Sequence, residues 1–229
     1  MFKERVKKTI VFLLDLLYPI YCVNCGKEGF WICQNCQDKV IFWNKQKCPY
    51  CQSLKSCGCG KDFILKDFFI GCNYDDNSAI KKALQTFKYK YAEELAKDLV
   101  SIFFKQTENF FDDIDIILPI PLHYKRQKER GFNQAELLAE ELAKNYNKAL
   151  DLSIIKRIKH TKQQAKLKKE QRTENVKDAF LCLKPDLVKA KNILLVDDVL
   201  TTGSTINECA KPLFLAGAKN VKAWVVAKG

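Results

Sequence analysis

The chain has 229 residues, enough for one domain of ordinary size with a small appendage, and its 47% hydrophobic content supports a globular core. Its formal charge of +12 points to an anionic partner: nucleic acid, a phosphorylated small molecule or an anionic membrane surface. The apolar runs near the start, Ile10 to Leu14 and Leu16 to Ile20, are too short for a bilayer span of about 20 residues. No signal peptide is visible, so the chain is expected in the cytoplasm, where its eleven cysteines favour metal over disulfides.

Phe2 to Tyr18 reads as a helix, basic at Lys3, Arg5, Lys7 and Lys8 and mostly apolar from Val11 to Leu17. It assigns an amphipathic helix to residues 1–20, docked on the protein or lying at the inner face of a membrane through residues 1–18. A cysteine-rich module follows over 21–62. Its spacing is Cys22-x2-Cys25, Cys33-x2-Cys36, Cys48-x2-Cys51 and Cys57-x-Cys59. Close pairs let two thiolates reach one tetrahedral ion, and two pairs close a structural zinc site. Sequential use is the simplest arrangement, Cys22/Cys25/Cys33/Cys36 and Cys48/Cys51/Cys57/Cys59, with interleaved pairing also open. Phe30, Trp31, Phe42 and Trp43 lie among Lys27, Lys39, Lys45 and Lys47. They suit stacking on single-stranded bases or, equally, a mini-core between the metal sites.

Lys66 to Tyr74 reads as a strand, and Ser78 to Gln106 as helix with a break near Tyr89-Lys90-Tyr91. Asp115 to Leu118 is a second apolar strand, closed by Pro119-Ile120-Pro121. A basic loop from Leu122 then leads to a helix, with Asn133 as N-cap and Glu136 as capping-box partner. Arg126 and Arg130 in that loop are candidates to grip a pyrophosphate bidentately. Residues 156–176 are polar and basic without clear period, which suggests a flap, and Val176 to Leu183 returns to strand character.

Ile193-Leu194-Leu195-Val196 reads as a buried strand ended by Asp197-Asp198. Two carboxylates accept from vicinal ribose hydroxyls. The loop Thr201-Thr202-Gly203-Ser204-Thr205 offers hydroxyls, successive backbone N–H groups and a helix N-terminus, a cradle for phosphate. Thr205 to Ala216 reads as a helix interrupted by Pro212 and stopped by Gly217, and Val221 to Ala227 as the last strand.

The run from Asp197 to Thr205 resembles the 5-phosphoribosyl-1-pyrophosphate (PRPP) signature of type I phosphoribosyltransferases. The chain as a whole is similar to the ComF (ComFC) competence family. The similarity is carried by Pro119-Ile120-Pro121-Leu122-His123, Lys125-Arg126, Arg130 to Glu136, Gln164, Leu167, Arg172 and Asn175, with a cysteine module ahead. That resemblance implies an α/β fold, a parallel-sheet phosphoribosyltransferase domain over 63–229 with the small zinc module before it. It implies PRPP held at Asp197 and Asp198 (ribose) and at Thr201 to Thr205 (5-phosphate), with Arg126 and Arg130 towards pyrophosphate. Gln164, Leu167 and Arg172 would belong to the flap, called the hood. It also implies Mg²⁺ carried with PRPP, and a role in natural transformation with single-stranded DNA and other competence proteins as partners. A Mg²⁺-dependent phosphoribosyl transfer with Asp197, Asp198, Arg126 and Arg130 as catalytic candidates is one reading. A non-catalytic zinc-finger DNA binder whose second domain senses PRPP or is vestigial is the other.

Overall fold

The structure, a computed structural model, describes residues 19–55, 57–61, 63–65, 67–75, 78–87, 92–159 and 176–229. The N-terminal helix over Phe2 to Tyr18, the break at Tyr89-Lys90-Tyr91 and the hood residues Gln164, Leu167 and Arg172 lie outside the described residues.

In chain order the elements are α1 (Gln34–Gln37), β1 (Asp67–Asn73), α2 (Ala79–Thr86), α3 (Ala92–Phe103), β2 (Ile116–Pro119), α4 (Tyr124–Arg130) and α5 (Gln134–Tyr146). Then come β3 (Ala149–Leu150), β4 (Ile155–Arg157), β5 (Phe180–Cys182), α6 (Pro185–Val188), β6 (Asn192–Leu200), α7 (Ser204–Leu215) and β7 (Asn220–Lys228). Five strands form one parallel sheet in the order β1-β7-β6-β2-β3, and β4 and β5 pair as a separate antiparallel ribbon.

A parallel sheet needs both faces covered, so its strands read as unbroken apolar runs rather than alternating ones. Ile193 to Val196 are fully buried, and so are Ala223 to Ala227. The pleat sends alternate residues to opposite layers. Leu194 and Val196 pack with α2, α3 and α5 residues such as Leu84, Leu99 and Leu138. Ile193 and Leu195 pack with Ile206, Cys209 and Leu213 of α7 and with Ile155 and Phe180 of the ribbon.

The cysteine module wraps the free edge of β1. Ile32, Cys33 and Cys36 join the first layer, whereas Trp43 and Leu65 join the second. The crossing lies at Phe42 and Trp43: Phe42 bridges Cys72, and Trp43 N–H donates to the Gly71 carbonyl at 2.9 Å. An open strand edge is a template for unwanted pairing, and these residues occupy it. Of the four aromatics among the lysines, Trp43 is buried, Trp31 is half-buried and donates to Glu94 at 3.3 Å, and Phe42 packs edge-on against Phe103. Phe30 is exposed, with Lys27 Nζ 5.6 Å from its ring.

Five expectations need correcting. The stretch after β2 is not a loop throughout: Tyr124–Arg130 is helical, capped by His123 and closed by Gly131 at φ +83°. Its Lys, Arg, Gln and Glu side chains are good helix formers. Glu136 does not close a capping box on the backbone; it accepts instead from the Asn133 side-chain amide at 3.2 Å. The carboxylates do not end their strand, which pairs with β7 as far as Leu200. Strand character after Val176 is confined to Phe180–Cys182. The helix α7 continues through Pro212 to Leu215, because Ala216 N–H regains the Pro212 carbonyl at 3.1 Å.

Gly71 is where the module, β1 and α3 come closest. A Cβ there would sit 2.5 Å from the Val226 carbonyl oxygen and 2.7 Å from the Phe103 ring. Gly71→Ala is expected to destabilise the fold by about 1–3 kcal/mol through overpacking. Urea denaturation reads this as a lower midpoint, and an unchanged midpoint would show that the edge accommodates a methyl group.

Candidate functional site

Chain connections locate the site. From β2 the chain crosses over through α4 and α5 to β3 on one side. From β6 it crosses through α7 to β7 on the other side. Between β2 and β6 the order reverses, and ligands of open α/β sheets sit in the crevice beyond the carboxyl ends at such a switch point. The crevice is opened by unequal lengths. β2 pairs with β6 only up to Pro119 opposite Val196, while β6 runs on beside β7 to Leu200 opposite Lys228. Asp197 and Asp198 begin where the β2 partner stops.

Adjacent residues on a strand face opposite layers. Asp197 belongs with the α7 layer, where Arg157 and Cys209 act on it electrostatically. Asp198 belongs with the other, where it pushes the Tyr74 hydroxyl up after burial has done so first. Asp197 retains some solvent-accessible surface, yet its carboxyl is held well above the usual carboxylate range. Desolvation is the larger cause and the neighbouring Asp198 charge the next, with Arg157 pulling the other way. Asp198 N–H donates to Asp197 Oδ1 at 2.9 Å and Val199 N–H to Asp198 Oδ1 at 2.7 Å, which fixes both carboxylates.

The loop that follows turns on Gly203, the N-cap of α7 at φ +82°. Thr202 and Ser204 share a hydroxyl contact at 2.9 Å, and Thr202 also accepts from Ser204 N–H at 3.3 Å. Ser204 is buried; Thr201, Thr202 and Thr205 are half-buried. Lys228, only 3% exposed, donates from Nζ to the Thr201 carbonyl at 2.8 Å and ties the end of β7 to the loop.

The opposite bank is basic. Asn133 caps α5 and donates to the Ile120 carbonyl at 3.0 Å, fixing that helix to the end of β2. Arg130 Nη1 donates to Gln134 Oε1 at 3.1 Å. Gln134 is 3% exposed, and its Nε2 has no acceptor among the described residues. Arg126 is half-buried, its guanidinium pulled down by desolvation first and by Arg130 next. Arg157 is the residue that reading the sequence missed. It is 7% exposed, lies 5.4 Å from the Phe180 ring, and feels both Arg126 and Asp197. Its signal was the period of β4, where Ile155 is buried, Lys156 exposed and Arg157 buried. A buried Arg157 and a half-buried Arg126 near one crevice, with a buried amide lacking an acceptor, make a positive lining suited to an anion.

The cysteines form two separate sets, Cys22/Cys25/Cys33/Cys36 and Cys48/Cys51/Cys57/Cys59, with the four sulfurs of each within 4.8 Å of one another. Tetrahedral ligation at about 2.3 Å brings sulfurs to about 3.8 Å, so each set is gathered closely enough to hold a zinc ion. Cys33 N–H donates to Cys22 Sγ at 3.4 Å, and Asn24 Nδ2 to Cys36 Sγ at 3.4 Å. Burial pushes the Cys22 thiol up, but backbone N–H groups of Cys33, Cys25 and Asn24 bring it to about 6. At Cys36 the Asn24 amide pulls down, but burial and the other three thiols push the group up to about 12. Four thiols competing for protons at one point is the state that a divalent cation relieves. Cys72 and Cys209 are buried in the core and Cys182 is half-buried, and none of the three belongs to either set.

Comparison with known proteins shows the family. The phosphoribosyl transferase domain model matches residues 89–229. Competence protein F of Haemophilus influenzae is 39% identical over 218 residues, covering 91% of this chain and 84% of that protein. Competence protein ComFC of Bacillus subtilis is 30% identical over 197 residues, 81% of this chain and 79% of that one. DNA utilization protein YhgH of Salmonella typhi is 39% identical over 114 residues, about half of each chain.

The raised Asp197 carboxyl has a stability consequence. In the folded state it binds its proton more tightly than in the unfolded chain, so stability falls as pH rises from the unfolded carboxyl range near 4 towards the folded value. Asp197→Asn is therefore expected to melt at a higher temperature than the wild type at pH 7.5, an advantage that shrinks towards pH 4. Equal melting temperatures across that range would show that Arg157 fully compensates the buried charge.

Proposed function

The chain belongs to the phosphoribosyl transferase domain family and to its ComF competence branch, and on that premise we propose that it binds PRPP at the β2/β6 crevice and acts in DNA uptake. The observation that carries this reading is the carboxylate pair at the point where β2 stops, followed within one turn by the hydroxyl-rich start of α7. Asp197 and Asp198 would accept from the ribose hydroxyls. The Thr201 to Thr205 loop would hold the 5-phosphate through backbone N–H and hydroxyl groups. Arg126, Arg130 and the buried Arg157 would face the pyrophosphate, and Gln134 Nε2 would find in it the acceptor it lacks. The hood, with Gln164, Leu167 and Arg172, would close over the ligand and exclude water.

Mg²⁺ bound with the pyrophosphate would neutralise its charge. In the transfer itself, the C1–O bond to pyrophosphate breaks and the electron pair leaves with the pyrophosphate. A nitrogen lone pair on the acceptor forms the new bond to C1, and that nitrogen then loses a proton. The arginines stabilise the charge that develops on the leaving group, the largest contribution such a site can make. The cysteine sets would carry structural zinc, since four thiolates each leave no open position.

Calorimetric titration of PRPP with Mg²⁺ tests the reading. Saturable binding is expected, weakened about a hundredfold or more in Asp197→Ala/Asp198→Ala, since each charge-assisted hydrogen bond contributes about 1.5–3 kcal/mol. No binding by the folded, zinc-loaded protein would reduce the domain to a scaffold.

A DNA-binding role has its own support in the exposed ring of Phe30 beside Lys27 and in the charge of +12. Affinity for single-stranded DNA should fall linearly with the logarithm of salt concentration, as phosphate contacts demand. Phe30→Ala should weaken binding while leaving that slope unchanged. A salt-insensitive affinity would remove this role. The membrane contact through residues 1–18 and the division into segments 1–20, 21–62 and 63–229 rest on sequence pattern alone.

A further inference from the structure

We propose that the second cysteine set, when metal-loaded, holds the loop after β6 in its binding conformation, with Tyr50 as the positioning residue between them. The proposal rests on the reading of that loop as a phosphate site. Tyr50 lies inside the knuckle, between Cys48 and Cys51, yet it is only 9% exposed because its ring lies on the loop. A Cβ built on Gly203 would sit 2.6 and 2.8 Å from two carbons of the Tyr50 ring, so the ring occupies the space that a side chain at 203 would take. The ring is fixed from three sides. Phe63 stacks on it at 3.9 Å, Phe68 meets it edge-on at 5.5 Å, and its hydroxyl donates to the Leu65 carbonyl.

A second tie runs beside the first. Ile64 N–H donates to Asn207 Oδ1 at 2.8 Å, and Asn207 N–H closes the first turn of α7 on the Gly203 carbonyl at 2.9 Å. The first tie comes from inside the segment that the second cysteine set closes, and the second from the stretch just after Cys59. The only regular element of this region among the described residues is the short 3-10 turn Gly58–Lys61. So small a segment has no core of its own and takes its order from metal ligation. Through Tyr50 and Ile64 that order reaches the start of α7. A loop already held in its bound shape loses less freedom when a ligand arrives. Linkage then requires the reverse: a ligand on the loop must tighten metal at the second set by the same factor.

The test uses the full zinc-loaded chain and three variants: Tyr50→Ala, Tyr50→Phe and Cys57→Ser/Cys59→Ser. Metal content reports whether the cysteine variant keeps one zinc per chain, and Tyr50→Ala removes no ligand, so it carries the test should that variant fail to fold. Hydrogen exchange at the amides of 204–207 should accelerate in Tyr50→Ala and in the cysteine variant. It should stay at the wild-type rate in Tyr50→Phe, which keeps the ring contact. Affinity for PRPP with Mg²⁺ should fall about fivefold or more in the same two variants, the lower end of ordinary coupling between sites. Zinc release from the wild type to a chromogenic chelator should slow when PRPP is present. Unchanged exchange at 204–207 in Tyr50→Ala overturns the proposal whatever the ligand data show, as does equal or tighter PRPP binding by that variant. Failure of the wild type to bind PRPP overturns the phosphate-site reading instead, and the exchange rates then decide the positioning role by themselves.

Discussion

The arrangement at the carboxyl edge of the sheet depends on one mismatch: β2 ends at Pro119, opposite Val196, while β6 continues four residues further against β7. Ile120 N–H makes the last rung, to the Val196 carbonyl at 2.8 Å, and the chain then leaves the sheet for α4, capped at His123. From that point β6 has a partner on one side only. The crevice this opens is lined on one bank by strand backbone and carboxylates and on the other by the starts of α4 and α5. Four fully buried residues, Ile193 to Val196, hold β6 in register below it, so the carboxylates are carried by one of the least deformable parts of the molecule. A site on such a strand is better fixed than one on loops alone.

The cysteine module belongs to the same architecture. It follows the edge of β1 and crosses from one face of the sheet to the other at Phe42 and Trp43, putting one cysteine set on each side. The first set is anchored through Cys22, Cys33 and Cys36 in the layer of α2 and α3. The second lies on the α7 side, where its short segment meets the loop at Gly203. The two sets therefore have different surroundings despite nearly equal spacing. Three of the first four cysteines are buried, and none of the second four is.

Much of this was legible in the chain. Unbroken apolar runs at Ile193 and Ala223 identify strands covered on both faces, and the cysteine spacing gives close pairs with sequential or interleaved use open, which the structure gathers into two sequential sets. The carboxylate pair and the Thr201 to Thr205 loop stand out by composition. Other features were hidden for physical reasons. Arg157 sits in a three-residue strand, too short for its alternation to stand out. Helix α4 reads as a basic loop because its seven residues carry no apolar stripe, so periodicity has nothing to register. Tyr50 carries no local signature of its role, since its contact with Gly203 spans more than 150 residues of sequence. That adjacent carboxylates face opposite layers follows from the pleat alone, once the strand is known to extend beyond them.

The cover over β1 also constrains how the chain can be divided. Its backbone on that side meets the module at Trp43 N–H and the Gly71 carbonyl and at the Phe42–Cys72 bridge. A phosphoribosyl transferase domain excised at residue 63 would expose that row together with Phe69, Ile70 and Cys72, an apolar strand with no charge between Phe68 and Cys72 to deter pairing. Two such fragments would present matching free β1 edges to one another. A fragment for study therefore has to keep the module.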